Sequence, residues 1–354
     1  MPLTFPTLTQ NLTTLQTIAV GAVGAAVFYL AELPGGLISG AMVAVAVFGV
    51  SGRTVGLPQP MAHVILMTLG LSLGSMVSPE MVKNLSAYPL TIALLAVATF
   101  CSTFGSSLYL QRFHRWDRTS ALLAGSPGAL SQIIMLATER NADVPGIAVV
   151  QIFRVIILTA AVPLLLAATG LMGHGALPSR GPEATPLALA ELAAAAVAVS
   201  LLMRWIRFPA SWMFGAMMAS SILHGTGLVE GALPQWAYIA ALTGIGTLIG
   251  SRFGKISPRT ILSHMAAALG SFAVAIAISS VFVTAIALTT SVKLSDVVVA
   301  FAPGAMDAML ALALTLHIDP VFVGAHHLSR FIYVSIVTPG IVHLFGKAQD
   351  DIDD

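Results

Sequence analysis

The stretch FAPGAMDAML, residues 301–310, decides how this chain is read. It sets a Pro-Gly pair and one acid, Asp307, inside an otherwise apolar run. A helix crossing hydrocarbon wants neither. Pro removes a backbone donor and Gly weakens a helix interior. A carboxylate at mid-membrane costs roughly 2.5–3.5 kcal/mol on insertion scales. GSPGALSQII, residues 125–134, repeats the pattern. An interruption that occurs twice is a built feature.

Working outward, the two stretches belong to a long internal repeat. Residues 125–158 lie over residues 301–334 without a gap: Pro127 falls on Pro303, Asp143 on Asp319 and Arg154 on Arg330, each at a shift of 176. Pro163 then meets Pro339, Leu57-Pro58-Gln59 meets Leu233-Pro234-Gln235, and Gly70 and Gly74 meet Gly246 and Gly250 at the same shift. LPGGLISGAM (33–42) matches FPASWMFGAM (208–217) at 175. The expected organisation is a first membrane repeat over 1–170, a linker over 171–184, a second repeat over 185–346 and an acidic tail over 347–354.

Composition sets the class. Of 354 residues 57% are hydrophobic and 9% charged, against about 25% charged in soluble domains, and mean hydropathy is +0.91. The apolar runs are continuous rather than alternating, which excludes a β-barrel and predicts an all-α polytopic membrane protein. The start lacks a basic residue before Arg53, so residues 11–32 read as a retained first helix rather than a cleaved signal. The single cysteine, Cys101, leaves no intrachain disulfide.

Each half offers six apolar elements: 11–32, 34–51, 61–78, 87–110, 117–138 and 143–170, then 187–206, 209–228, 234–251, 261–289, 294–316 and 319–346. The fifth of each carries the break. If all six crossed, the loop and tail cations would divide evenly between the two sides. If each fifth element enters and returns on one side, the second half is inverted. Arg53, Arg112, Arg115, Arg118, Arg140, Arg204, Arg207, Arg252, Lys255, Arg259 and Lys347 then share a side, and only Lys83, Arg180 and Lys293 face the other. Cytoplasmic loops accumulate Lys and Arg. The expectation is therefore two inverted repeats, each of about five transmembrane helices plus one broken or re-entrant helix, with both termini cytoplasmic in a bacterial inner membrane.

Inverted repeats with interrupted helices at matching positions are the layout of secondary transporters, whose sites lie where the breaks meet. Pro suits a first helical turn, so Pro127 and Pro303 read as starts of half-helices, with Ser126 as N-cap of the first. Free amides and positive dipole ends there would attract an anion. The candidate substrate-binding residues are Ser126, Pro127, Gly128, Ser131, Pro303, Gly304, Gln151, Arg154, His327 and Arg330. Arg is a bidentate partner for carboxylate; the two arginines alternatively neutralise Asp307 or the carbonyl ends of half-helices. Asp307 is the candidate coupling-ion residue for H⁺ or Na⁺, or else a salt-bridge partner of Arg154 or Arg330. His326 and His327 point about 100° apart on a helix with no supporting acid or cysteine, so no metal, cofactor or catalytic residue is expected.

The SPGAL and APGAM motifs, each followed by Asp-x₁₀-Arg, together with LPGGLISGAM, FPASWMFGAM and the two LPQ turns, resemble the membrane AbrB family, which is defined by a duplicated AbrB domain. The resemblance spans essentially the whole chain. Family members carry names as transporters, ammonia monooxygenases or regulators of gene expression, so it implies neither a substrate nor a catalytic residue. It implies a fold related to cation/proton antiporters and anion transporters. A small soluble DNA-binding regulator shares the name but no visible similarity.

The leading expectation is a secondary transporter of a small anionic or polar organic solute, working by alternating access around the paired half-helices. Its partners would be that solute and the bilayer, with homo-oligomers allowed and nucleic acid not. The alternatives are a membrane sensor acting indirectly on gene expression, or a monooxygenase-like enzyme, which would need clustered metal ligands. No P-loop GxxxxGK[ST] occurs, which argues against ATP-driven pumping.

Overall fold

The computed structural model describes residues 8–33, 35–76, 88–127, 130–171, 182–208 and 210–345. Among the described residues the chain is built from fourteen α-helices and no strand, seven helices falling in each half. The first seven are α1 (Leu8–Leu30), α2 (Gly36–Val50), α3 (Gln59–Gly74), α4 (Tyr88–His114), α5 (Arg118–Gly125), α6 (Leu130–Glu139) and α7 (Val144–Ala168). The second seven are α8 (Pro186–Trp205), α9 (Ser211–Gly225), α10 (Gln235–Gly250), α11 (Pro258–Thr289), α12 (Leu294–Phe301), α13 (Met306–Thr315) and α14 (Pro320–Phe345).

Among the described residues six helices are long and apolar enough to cross a bilayer: α1, α4 and α7 from the first half, α8, α11 and α14 from the second. This is an integral membrane protein. The four helices α2, α3, α9 and α10 run only 15–16 residues, about 23 Å at 1.5 Å per residue. They fall short of the ~30 Å hydrocarbon core that the sequence elements were expected to span.

The repeat persists in the elements. α3 and α10, α5 and α12, and α6 and α13 coincide end for end at a shift of 176, and α2 and α9 at 175. What reads as one fifth element is two helices in each half, α5 and α6 with Ser126 and Pro127 following the first, and α12 and α13 parted at residues 302–305.

The chain forms two compact units, and each draws on both halves. The first takes residues 1–80, 163–257 and 310–320. In it α1 packs on α2 and α8 on α9, while α10 lies on α2 and α3 on α9. The glycines explain how helices come so close. A Cβ on Gly70 would lie 2.2 Å from Met213 O, and one on Gly246 would lie 2.3 Å from Ile38 O. Gly74 meets Met217 O and Gly250 meets Met42 O in the same way. The contacts are reciprocal, each half offering its Gly-x₃-Gly helix to the other's shorter helix. In lipid, where apolar burial drives little association, such close approach supplies the packing energy.

The second unit takes residues 81–162, 258–309 and 321–354. It contains α5, α6 and α12, the first turn of α13, and the long helices α4 and α11, which pack on each other. Asp117 caps α5, its Oδ1 accepting from Ser120 N–H at 2.8 Å. Asp143 precedes α7, where its Oδ1 accepts from Gly146 N–H at 3.0 Å and its own N–H donates to Ser120 Oγ at 2.9 Å. These bonds tie the start of α7 back to α5.

Candidate functional site

The site is built where α5 and α12 stop. The last carbonyls of any helix lack intrahelical partners and carry its negative dipole end. In hydrocarbon they need partners from the protein. Side chains from the following long helix supply them. On α7, Gln151 Nε2 donates to Leu123 O at 3.0 Å and to Ser126 O at 2.7 Å. One turn on, Arg154 Nη2 donates to Ala124 O at 3.0 Å, with Gly125 O at 3.4 Å. On α14, His327 Nε2 donates to Val299 O at 3.0 Å and Arg330 Nη1 to Ala302 O at 2.8 Å. Because Nε2 of His327 faces a carbonyl it carries the proton, which leaves Nδ1 to accept from Arg330 Nη2. All four side chains are buried. Both arginines cap carbonyl ends in the structure, which is one of the roles the sequence left open to them.

The correspondence is close. Gln151 and His327 lie 176 apart and serve Leu123 O and Val299 O, also 176 apart. The arginines differ. Arg330 divides its terminal nitrogens between Ala302 O and His327. Arg154, 2% exposed, leaves Nε and Nη1 without a hydrogen-bond partner.

Ser126 does not open α6 as its N-cap. It closes α5 as C-cap, its N–H bonded to Leu122 O, and its hydroxyl pairs with Thr338 Oγ1 at 3.1 Å. Pro303 likewise stands three residues ahead of α13 rather than in its first turn, because Gly304 N–H turns back to Ala302 O at 2.8 Å before the helix begins. α6 and α13 are ten residues each, about 15 Å or half the hydrocarbon core. Gly128 and the Ser131 side chain lie outside the described residues.

Asp307 sits in the first turn of α13, where its Oδ1 accepts from Ala308 N–H at 3.1 Å. An acid in that position complements the positive end of its own helix. The neighbouring histidines diverge: His326 places Nδ1 2.7 Å from Phe322 O and Nε2 2.8 Å from Thr91 Oγ1.

Pro127 and Pro303 meet at one small cavity, walled also by Leu95, Thr99, Ser102, Ser279, Phe301 and Arg330. About 10 Å³ is free there at the scale of a water molecule, close to the least that holds one water. Of the candidate residues the cavity thus gathers Pro127, Pro303 and Arg330, whereas Gln151, Arg154, His327 and Asp307 are not in its wall. The polar wall residues missed from sequence, Thr99, Ser102 and Ser279, all carry hydroxyls. α4 buries Thr91, Thr99, Ser102, Thr103, Ser106 and Ser107, a polar stripe at helical spacing that is legible in residues 91–107 once α4 is placed inside the protein.

Comparison with known proteins places these features in a family. Residues 37–346 match the family model described as "Transition state regulatory protein AbrB". The chain is 26% identical over 308 residues to the "Uncharacterized protein YhjN" of Bacillus subtilis (strain 168), covering 80% of this chain and 79% of that one. It is 24% identical over 321 residues to the "Putative regulator AbrB" of Escherichia coli (strain K12), covering 89% and 91%.

Proposed function

The chain belongs to the AbrB family, and from that premise we propose that this membrane protein is a secondary transporter of a small anionic organic solute. The observation that carries the proposal is the polarity left at the two helix breaks. Four helix ends fall there. The two negative ends, those of α5 and α12, are met by Gln151 and Arg154 and by His327 and Arg330. The two positive ends, those of α6 and α13, begin three residues after Pro127 and Pro303, which line the cavity. The buried Arg154 and Arg330, set against Asp307 in the first turn of α13, leave the breaks favouring negative charge.

In this reading the halves are inverted, as the distribution of Lys and Arg favours, and access to the breaks alternates between the two sides of a bacterial cytoplasmic membrane, with both termini inside. Asp307 is the residue through which H⁺ or Na⁺ would couple. The protein is a carrier, not an enzyme, and binds solute and lipid rather than nucleic acid. The word regulator in the name of the E. coli relative fits an indirect effect, in which the solute moved is itself a signal.

A thermal-unfolding screen of the purified protein against small carboxylic, sulfonic and amino acids and ammonium tests the proposal, with Arg154→Gln, Arg330→Gln and Asp307→Asn alongside. An anion that stabilises the wild type and neither arginine variant supports it. Binding that survives all three changes contradicts it.

A further inference from the structure

We infer that Ser102, with Thr99 one turn before it on α4 and Ser279 on α11, forms the solute-selective wall of the cavity, and that the group held there is a carboxylate. The inference rests on the transporter reading and adds to it a ligand class and a residue outside the duplicated motifs.

Ser102 stands apart from its neighbours. A serine or threonine in a helix ordinarily satisfies its hydroxyl on a carbonyl one turn back. Thr103 does so with Thr99 O at 2.8 Å, and Ser106 instead reaches Ser271 O on α11 at 3.0 Å. Ser102 is 2% exposed and its Oγ has no partner. A buried hydroxyl left unmatched is destabilising, and more so where water is excluded. Alanine would fill the same place more cheaply. Ser102 lines the cavity between the two helix breaks, so its hydroxyl is positioned for something that enters there.

The wall sets the chemistry of that group. Among the described residues its only charged side chain is Arg330, and none is an acid. Its other polar side chains are the hydroxyls of Thr99, Ser102 and Ser279. A cation beside several hydroxyl donors suits an oxygen anion, to which hydroxyl bonds are short and charge-assisted. The free space is that of one water-sized atom, so the rest of an anionic head must displace wall side chains, and a flat carboxylate displaces fewer than a tetrahedral phosphate or sulfate. A single cation likewise balances a monoanionic head.

Equilibrium dialysis of labelled acetate against the purified full chain tests this, with Ser102→Ala, Ser279→Ala and chloride as competitor, beside unfolding temperatures without ligand. We expect Ser102→Ala to weaken acetate binding roughly ten- to a hundredfold while its ligand-free unfolding temperature holds or rises. Ser279→Ala should weaken binding as well. Wild-type affinity in both variants would sink the assignment and leave the transporter reading standing. So would a lowered unfolding temperature in Ser102→Ala, since the hydroxyl would then be structural, or chloride displacing acetate at equal concentration. A wild type that binds no acetate at all overturns this inference, and failure of every anion in the thermal screen overturns the transporter reading with it.

Discussion

His327 does for Val299 what Gln151 does for Leu123: each donates from a long helix to the third-from-last carbonyl before a Pro-Gly break, at 3.0 Å in both halves. Two different side chains have converged on one hydrogen bond because the requirement is backbone chemistry. A helix that stops inside a membrane exposes carbonyls, and something must meet them.

That equivalence predicts which substitution His327 tolerates. Glutamine offers an N–H donor for Val299 O and a carbonyl oxygen to accept from Arg330. His327→Gln should therefore unfold within a degree or two of wild type. His327→Leu removes the donor and the acceptor and should cost about 1–3 kcal/mol, read as a fall of several degrees. Equal losses in both variants would contradict the pairing.

The two arginines should not respond alike. Arg330→Lys keeps a charge but cannot hold the forked contact to Ala302 O and His327, so we expect lower thermal stability by about 1–3 kcal/mol. Arg154→Lys surrenders donors that have no partner, Nε and Nη1, and should be the milder change. Unfolding temperatures of the pair decide it.

Gly70 and Gly246 occupy reciprocal contacts in the first unit, each against the other half's backbone carbonyl. Alanine at either position forces the helices apart. Each change should cost about 1–3 kcal/mol, and the two costs should match. A neutral Gly70→Ala would show that the helices are not held this closely.

One position carries strain that its counterpart avoids. Gly35 enters α2 at φ 65° and Ala210 enters α9 at φ 46°, both left-handed. For a residue with a Cβ that conformation costs roughly 1–2 kcal/mol. Ala210→Gly should raise the unfolding temperature slightly, and Gly35→Ala should lower it, since its Cβ would also lie 3.1 Å from Pro163 Cγ.

The proposed inversion of the two halves makes a sidedness prediction. In a Cys101→Ser background, cysteines at Arg115 and Arg259 should react with impermeant thiol reagents only from the cytoplasmic face, and a cysteine at Lys293 only from the other. All three reacting from one face would remove the inversion.

Much of the fold was legible because polar residues are scarce in this chain. Pro127, Pro303, Arg154 and Arg330 stand out against Leu and Ala, and their common shift of 176 located the repeat and both breaks. What the repeat could not reveal is which helix end each residue serves. Ser126-Pro127 fits the start of a helix by local preference, yet its backbone closes α5, because Gln151 takes its carbonyl and Thr338 its hydroxyl from residues far along the chain. Nor could it reveal Ser102. One serine in the hydroxyl stripe of α4 is unremarked until Thr103 and Ser106 prove to have partners and its own Oγ proves to have none.

Counterflow in proteoliposomes tests the central claim most directly. Vesicles containing the purified protein would be loaded with a stabilising anion from the thermal screen and diluted into trace label of the same anion. Transient accumulation of label is expected with the wild type, lost in Arg330→Gln and strongly reduced in Ser102→Ala. Label that equilibrates no faster than in protein-free vesicles, for every anion that binds, would contradict it.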